Sequence, residues 1–166
     1  VEYIAGASRD VTEIEERRRR ISELKQQYQT VMENFPDGAV YLIDTNLQHV
    51  RARGEELEKV GLSPADIEGC TPHDAFPDEL ADELRQYYQQ AFDGTTVDFR
   101  RRYRGEHYRV RVTPVRTDGE EADYIIAVAQ NVTEYVEDRR KLEEQNKQLD
   151  RFASVVSHDL RNPLSV

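Results

Sequence analysis

The chain repeats itself, and the repeat fixes its layout. Residues 3–13 read Tyr-Ile-Ala-Gly-Ala-Ser-Arg-Asp-Val-Thr-Glu, and residues 124–134 read Tyr-Ile-Ile-Ala-Val-Ala-Gln-Asn-Val-Thr-Glu, 121 residues further on. Each copy runs from an apolar, strand-like stretch into an Asp/Asn-Val-Thr-Glu step and then into a charged helix. Self-similarity at a fixed period marks a structural unit used twice.

The helices keep the same register. Ile14, Arg17, Ile21, Leu24, Tyr28, Val31 and Phe35 correspond at this offset to Tyr135, Asp138, Leu142, Gln145, Leu149, Phe152 and Val156. Apolar residues at heptad spacing predict a coiled-coil or bundle seam. The alternative is a plain amphipathic linker helix. Arg17, Asp138 and Gln145 interrupt the seam, which weakens packing while restricting register. At the steps, Asp10, Thr12, Asn131 and Thr133 carry side-chain oxygens suited to free N–H groups at a helix start, and the following Glu suits the helix dipole. Asp10–Thr12 and Asn131–Thr133 are therefore expected to be strand-to-helix signal junctions.

Between the helices the pattern changes to short strands. Residues 39–43 and 47–51 read as strands around the turn-forming Asp44-Thr45-Asn46. Residues 53–60 and 78–92 have helical composition, with turn signals at Gly61, Pro64, Gly69, Pro72 and Pro77. Strands are expected over 95–104, 107–116 and 122–131, with hairpin turns at Gly105-Glu106 and Asp118-Gly119. Val97, Phe99 and Tyr103 fall on one face of their strand, and Tyr108, Val110 and Val112 on one face of theirs.

This order of elements resembles a PAS domain. Asn34-Phe35-Pro36-Asp37-Gly38-Ala39-Val40 looks like the turn from helix to first strand. Gly61-Leu62-Ser63 and Ile67-Glu68-Gly69 look like the helical middle, and Asn131-Val132-Thr133 like the exit motif. The resemblance covers residues 28–134. It implies an α+β fold: a five-stranded antiparallel sheet with flanking helices, set between N- and C-terminal amphipathic signalling helices. The expected segments are the tail of a preceding PAS domain (1–13), a linker or coiled-coil helix (14–35), a PAS domain (36–134), and a signalling helix running into the first part of a dimerisation and phosphoacceptor helix (135–166).

PAS domains sense small ligands, light or redox state, or serve as dimer modules. The ligand here is not legible. Cys70 lies in Gly-Cys-Thr-Pro, unlike the Asn-Cys-Arg-Phe setting of flavin-adduct relatives. His49, His73 and His107 read as structural or surface residues rather than haem ligands, and no metal ligands cluster at diagnostic spacing. The Arg100–Arg102 and Arg17–Arg20 runs are read as solvated faces paired with acids, against the sharper alternative of an anion grip at 100–102.

The end of the chain carries the clearest chemistry. Ser157-His158-Asp159-Leu160-Arg161-Asn162-Pro163-Leu164 closely resembles the H-box of HisKA-type histidine kinases. A neutral imidazole offers one nucleophilic nitrogen, and a neighbouring carboxylate can hold the N–H of the other. The resemblance makes His158 the phosphoacceptor, Asp159 the general base or orienter, and Asn162 the residue that positions water in phosphatase action. Pro163 is expected to bend the helix.

Composition narrows the rest. The net charge is −10, and only 4 of the 23 basic residues are Lys, which resembles proteins of salt-loving archaea; an acidic mesophilic protein is the rival. That charge argues against a nucleic-acid partner. No stretch approaches the ~20 apolar residues of a membrane span, and the single Cys70 permits no internal disulfide, so a cytoplasmic setting without membrane contact is expected. Val1 is not Met and Val166 falls within an apolar pattern, so both ends are expected to be cuts in a longer chain. No Gly-rich nucleotide loop occurs. The ATP/Mg site is therefore expected in a separate catalytic domain, the fragment alone is expected to be inactive, and no cofactor is expected within it. The reading is the sensory and phosphoacceptor part of a two-component sensor histidine kinase. Its partners are a second copy through the helices and a response-regulator receiver domain. The rivals are a non-catalytic PAS module, a PAS transcription regulator, and a transducer related to chemotaxis receptors.

Overall fold

A computed structural model describes the backbone of residues 2–117 and 119–162, and the side chains from Asp10 onward. Two long helices flank an α/β core. Helix α1 spans Glu2–Glu33. The core follows as β1 (Gly38–Asp44), β2 (His49–Arg53), α2 (Glu55–Lys59), α3 (Pro64–Ile67), α4 (Pro72–Ala75), α5 (Asp78–Phe92), β3 (Val97–Tyr103), β4 (Glu106–Val115) and β5 (Tyr124–Asn131). Helix α6 spans Thr133–Arg161.

The five strands form one antiparallel sheet in the order β2-β1-β5-β4-β3. Alternation decides which face is inside. Tyr108, Val110 and Val112 of β4 are buried while Arg109 and Arg111 point out, and Ile125 and Ala127 of β5 lie on the same inner face. Leu80, Leu84, Tyr88 and Ala91 of α5 repeat at helical spacing and cover that face. Ala39, Ala52, Leu57 and Ile67 form a second cluster under α2 and α3.

Turn chemistry positions the small elements. The Ser63 N–H and hydroxyl both donate to the Asp66 carboxylate, at 2.8 and 2.6 Å, and Thr71 does the same to Asp74, at 2.9 and 2.6 Å. These bonds start α3 and α4, each with a proline in its first turn. The β3–β4 turn is Arg104-Gly105, with φ of 48° and 89°. It sits one residue earlier than expected, because a two-residue type I′ turn needs left-handed backbone at both central positions. Gly54 at φ 133° is held where a Cβ would collide with the Gly38 carbonyl, so β2 can close onto β1 only with glycine there.

One expectation is corrected. Residues 3–9 form no strand, and Asp10 and Thr12 lie inside α1 rather than at a strand-to-helix junction. The corresponding β5 segment is hydrogen-bonded on both edges, by β1 and β4. Residues 3–9 have no such neighbours in the sheet. A helix satisfies their backbone groups locally. The Asp118 half of the expected Asp118-Gly119 turn and the expected bend at Pro163 lie outside the described residues.

Candidate functional site

The exit junction is built from side chains of four elements. The Asn131 N–H donates to the Asp37 carbonyl at 2.7 Å, and the Val132 N–H to the His107 carbonyl at 2.8 Å. The Asn131 Oδ1 accepts the Thr133 N–H at 3.0 Å, which is the helix-start role expected of Asn131. Thr133 turns elsewhere: its hydroxyl accepts the His107 N–H, at 2.8 Å, and so pins α6 to β4.

The other end of Asn131 enters the core. Its Nδ2 donates to Glu56 Oε1 at 2.7 Å, and the Tyr108 hydroxyl donates to the same oxygen at 2.6 Å. Glu56 is 3% exposed. Among the described residues, its Oε2 is a buried side-chain oxygen without a hydrogen bond. Lys59 Nζ stands 3.5 Å from that oxygen, an ionic contact, and is hydrogen-bonded at 3.0 Å to Asp37 Oδ1. Glu56 therefore ties α2 to β4 and to the last residue of β5, while Lys59 ties the same helix to Asp37, directly before β1. No sequence signal separates Glu56 from Glu55 and Glu58: in a five-residue helix, periodicity cannot say which carboxylate turns inward.

Glu56 also lines a cavity of about 80 Å³ between the sheet, α2, α5 and Phe76 in the turn before α5. Its walls are mainly apolar, including Val60, Leu62, Phe76, Leu84, Val110 and Ala127. Tyr41 and Tyr108 face it as well, and burial, with Glu56 nearby, pushes both phenols well above the ordinary tyrosine range. Arg101 reaches the wall too. Strand alternation puts it on the opposite face from Arg100 and Arg102, so the arginine run is not a single solvated face. Arg101 pairs with Glu83 at 2.8 Å and Glu79 at 3.3 Å.

His49 is fully buried beside this core. Its Nδ1 lies 2.8 Å from the Cys70 carbonyl, which only accepts, so Nδ1 carries the proton and Nε2 accepts from the Tyr88 hydroxyl at 3.3 Å. Both ring nitrogens are committed to the fold. His73 lies at the surface against Asp82, at 3.0 Å.

His158 is on the last turns of α6, with 74% of its side chain exposed. Asp159 Oδ1 is 3.6 Å from its Nδ1, and Asn162 Nδ2 is 3.5 Å from the same nitrogen. Asp159 and Asn162 thus gather on one side of the ring, and among the described residues Nε2 has no hydrogen-bond partner. Upstream on α6, Tyr135, Leu142, Leu149, Phe152 and Val156 are exposed, as are Ile14, Ile21, Leu24, Tyr28 and Val31 of α1.

A family model described as the PAS fold matches residues 32–137. A sensor-like histidine kinase of Pyropia yezoensis, itself uncharacterised, is 24% identical over 157 residues; the match covers 87% of this chain and 23% of that relative. The PAS domain of BvgS from Bordetella pertussis superposes with a TM-score of 0.55 at 18% identity, covering 76% of this chain and 98% of that one. The VqmA dimer protein of Vibrio cholerae, a LuxR-type receptor with a target DNA, gives a TM-score of 0.55 at 22% identity, covering 68% and 52%. No helix among the described residues is long and apolar enough to cross a membrane.

Proposed function

Since the chain belongs to the PAS-fold family, we propose that it is the sensory and phosphoacceptor portion of a two-component sensor histidine kinase. The observation that carries this reading is His158. It stands exposed at the end of α6 in the string Ser157–Leu164, with Asp159 and Asn162 against one ring nitrogen. The kinase relative supports the same reading over a span that is about a quarter of its length.

In the proposed reaction, Nε2 of neutral His158 attacks the γ-phosphorus of ATP held by a catalytic domain elsewhere in the parent protein. The N–P bond forms as the bond to ADP breaks, and ADP leaves with the electron pair. Positive charge develops on the ring, and Asp159 stabilises it through the Nδ1–H, in the tautomer that leaves Nε2 unprotonated and with the Asn162 amide turned so that its NH₂ no longer faces Nδ1. The phosphoryl group then passes to an Asp of a response regulator. Asn162 is the residue that orders a water to attack the regulator's aspartyl phosphate, which breaks the bond to the Asp carboxylate and releases inorganic phosphate. Regulation follows from the junction: a change around Glu56 alters Asn131, and α6 repacks against a second copy.

The decisive assay joins this chain to its downstream region and adds ATP. Wild type should form acid-labile phosphate, and H158Q should lose it at least about a hundredfold. Equal labelling of both would remove the reading. The VqmA likeness favours a second reading, a ligand-responsive transcription regulator. Its net charge of −10 disfavours DNA contact by this segment, and it requires no phosphate on His158.

A further inference from the structure

Helix α2 is five residues long, yet two of its side chains reach both ends of the core. Glu56 takes the Asn131 amide and the Tyr108 hydroxyl on Oε1, at 2.7 and 2.6 Å. Lys59, three residues on, puts its ammonium 3.5 Å from Oε2 and donates at 3.0 Å to Asp37, between α1 and β1. The Glu56 side chain is 4% exposed, whereas those of Lys59 and Asp37 are 51% and 71% exposed. A buried charge is thus balanced from a solvent-facing groove. The other cation of that groove, Arg104, is turned to the Val60 carbonyl and the Tyr103 ring. Among the described residues, Lys59 is the one cation paired with Glu56.

We propose that Lys59 is a positioning residue for the exit junction: it holds the Glu56 carboxylate inward, where that carboxylate fixes the Asn131 side chain at the start of α6, and it divides its charge between Glu56 and Asp37. A buried carboxylate stripped of its counter-ion is strongly disfavoured. Without Lys59, Glu56 turns toward water in the groove and releases the Asn131 amide and the Tyr108 hydroxyl together. Asn131 is then free to rotate, and the Thr133 N–H loses the Oδ1 that accepts it. Asp37 competes for the same ammonium. A movement of α1 that brings Asp37 nearer draws Lys59 from Glu56, and one that carries Asp37 away returns it. The incoming and outgoing helices are linked in this way through the side chains of α2, alongside the backbone bond between Asn131 and Asp37.

The test is native-state hydrogen exchange of the 166-residue chain, followed by NMR. The readout is the exchange rate of the Thr133 N–H divided by that of Ala127, which lies on β5 between β1 and β4. K59M keeps much of the stem and removes the charge, and it should raise this ratio roughly tenfold. K59R keeps the charge and should hold the wild-type ratio. D37N leaves Lys59 to Glu56 alone, so its ratio should equal the wild-type value or fall below it. Adding K59M to E56Q should raise the ratio no further. An unchanged ratio in K59M, whether both amides speed up or neither does, would overturn the proposal. So would K59R or D37N behaving as K59M, or a further rise when K59M is added to E56Q. Asn tolerates the left-handed backbone of position 37, at φ 51°, so the D37N comparison stands even if K59M or E56Q fails to fold. The inference rests on the regulation proposed above, but Thr133 exchange is read without phosphate on His158, so either reading can fail without the other.

Discussion

At the scale of single residues, the buried polar groups carry the consequences. His49 is enclosed, and burial holds its pKa below the usual histidine value despite the hydrogen bond to Cys70. The folded state therefore keeps it neutral while the unfolded chain, with an ordinary pKa of about 6.5, takes up a proton. More protons on the unfolded state means stability that is present above about pH 6.5 and lost as the pH falls. Urea denaturation should show a lower midpoint at pH 5 than at pH 7. H49Q should flatten that slope and cost about 1–3 kcal/mol at pH 7 through the broken pair with Tyr88 and Cys70. An undiminished slope in H49Q would assign the effect elsewhere. The sequence could name His49 as structural but could not bury it, because burial comes from β2, the Cys70 loop and α5 meeting. The same holds for Glu56. His158, Asp159 and Asn162 were named from the likeness of their string to an H-box, and helical spacing itself places only His158 and Asn162, four residues apart, on one face.

Among the elements, the strands and α5 were readable from alternation and helical period, and the boundaries moved by one to a few residues. The β3–β4 turn moved because backbone sign at Arg104 and Gly105, not composition, decides it. Residues 3–9 differ from the expected strand for a physical reason: the matching segment at 124–130 is a strand between two neighbours, and residues 3–9, without such neighbours, satisfy their backbone groups in a helix. Helix α6 leads from the junction to His158 with a heptad face along the way. Inserting two residues beside Leu142 rotates everything beyond by about 200°, which takes Leu149, Phe152 and Val156 off the face they share with Tyr135. In the kinase proposed above, this insertion should uncouple output from the sensory core while leaving the core's thermal midpoint unchanged. A response identical to wild type would argue against transmission along α6.

For the whole molecule, the exposed apolar residues of α1 and α6 set the expected assembly. A fully buried leucine is worth about 1.5–3 kcal/mol, and Leu24, Leu142 and Leu149 are all exposed in the single chain. A second copy is the occupant that matching heptads favour, opposed by a net charge of −10 on each partner. Sedimentation equilibrium should find a dimer that tightens as salt is raised from about 0.05 to 0.5 M, because screening weakens the repulsion more than the apolar contact. L142D/L149D should be monomeric at concentrations where wild type dimerises. A monomer at all salt concentrations would place the helix faces against another protein.

The bond from the Asn131 N–H to the Asp37 carbonyl has a mechanical meaning. It joins the point where the chain enters the core to the point where it leaves, across 2.7 Å. A push or twist delivered along α1 meets α6 at that clasp without having to cross the cavity. In the proposed sensor the core would then work as a clutch on a drive shaft: it would set how firmly the incoming rod grips the outgoing one, at a single hydrogen-bonded seam.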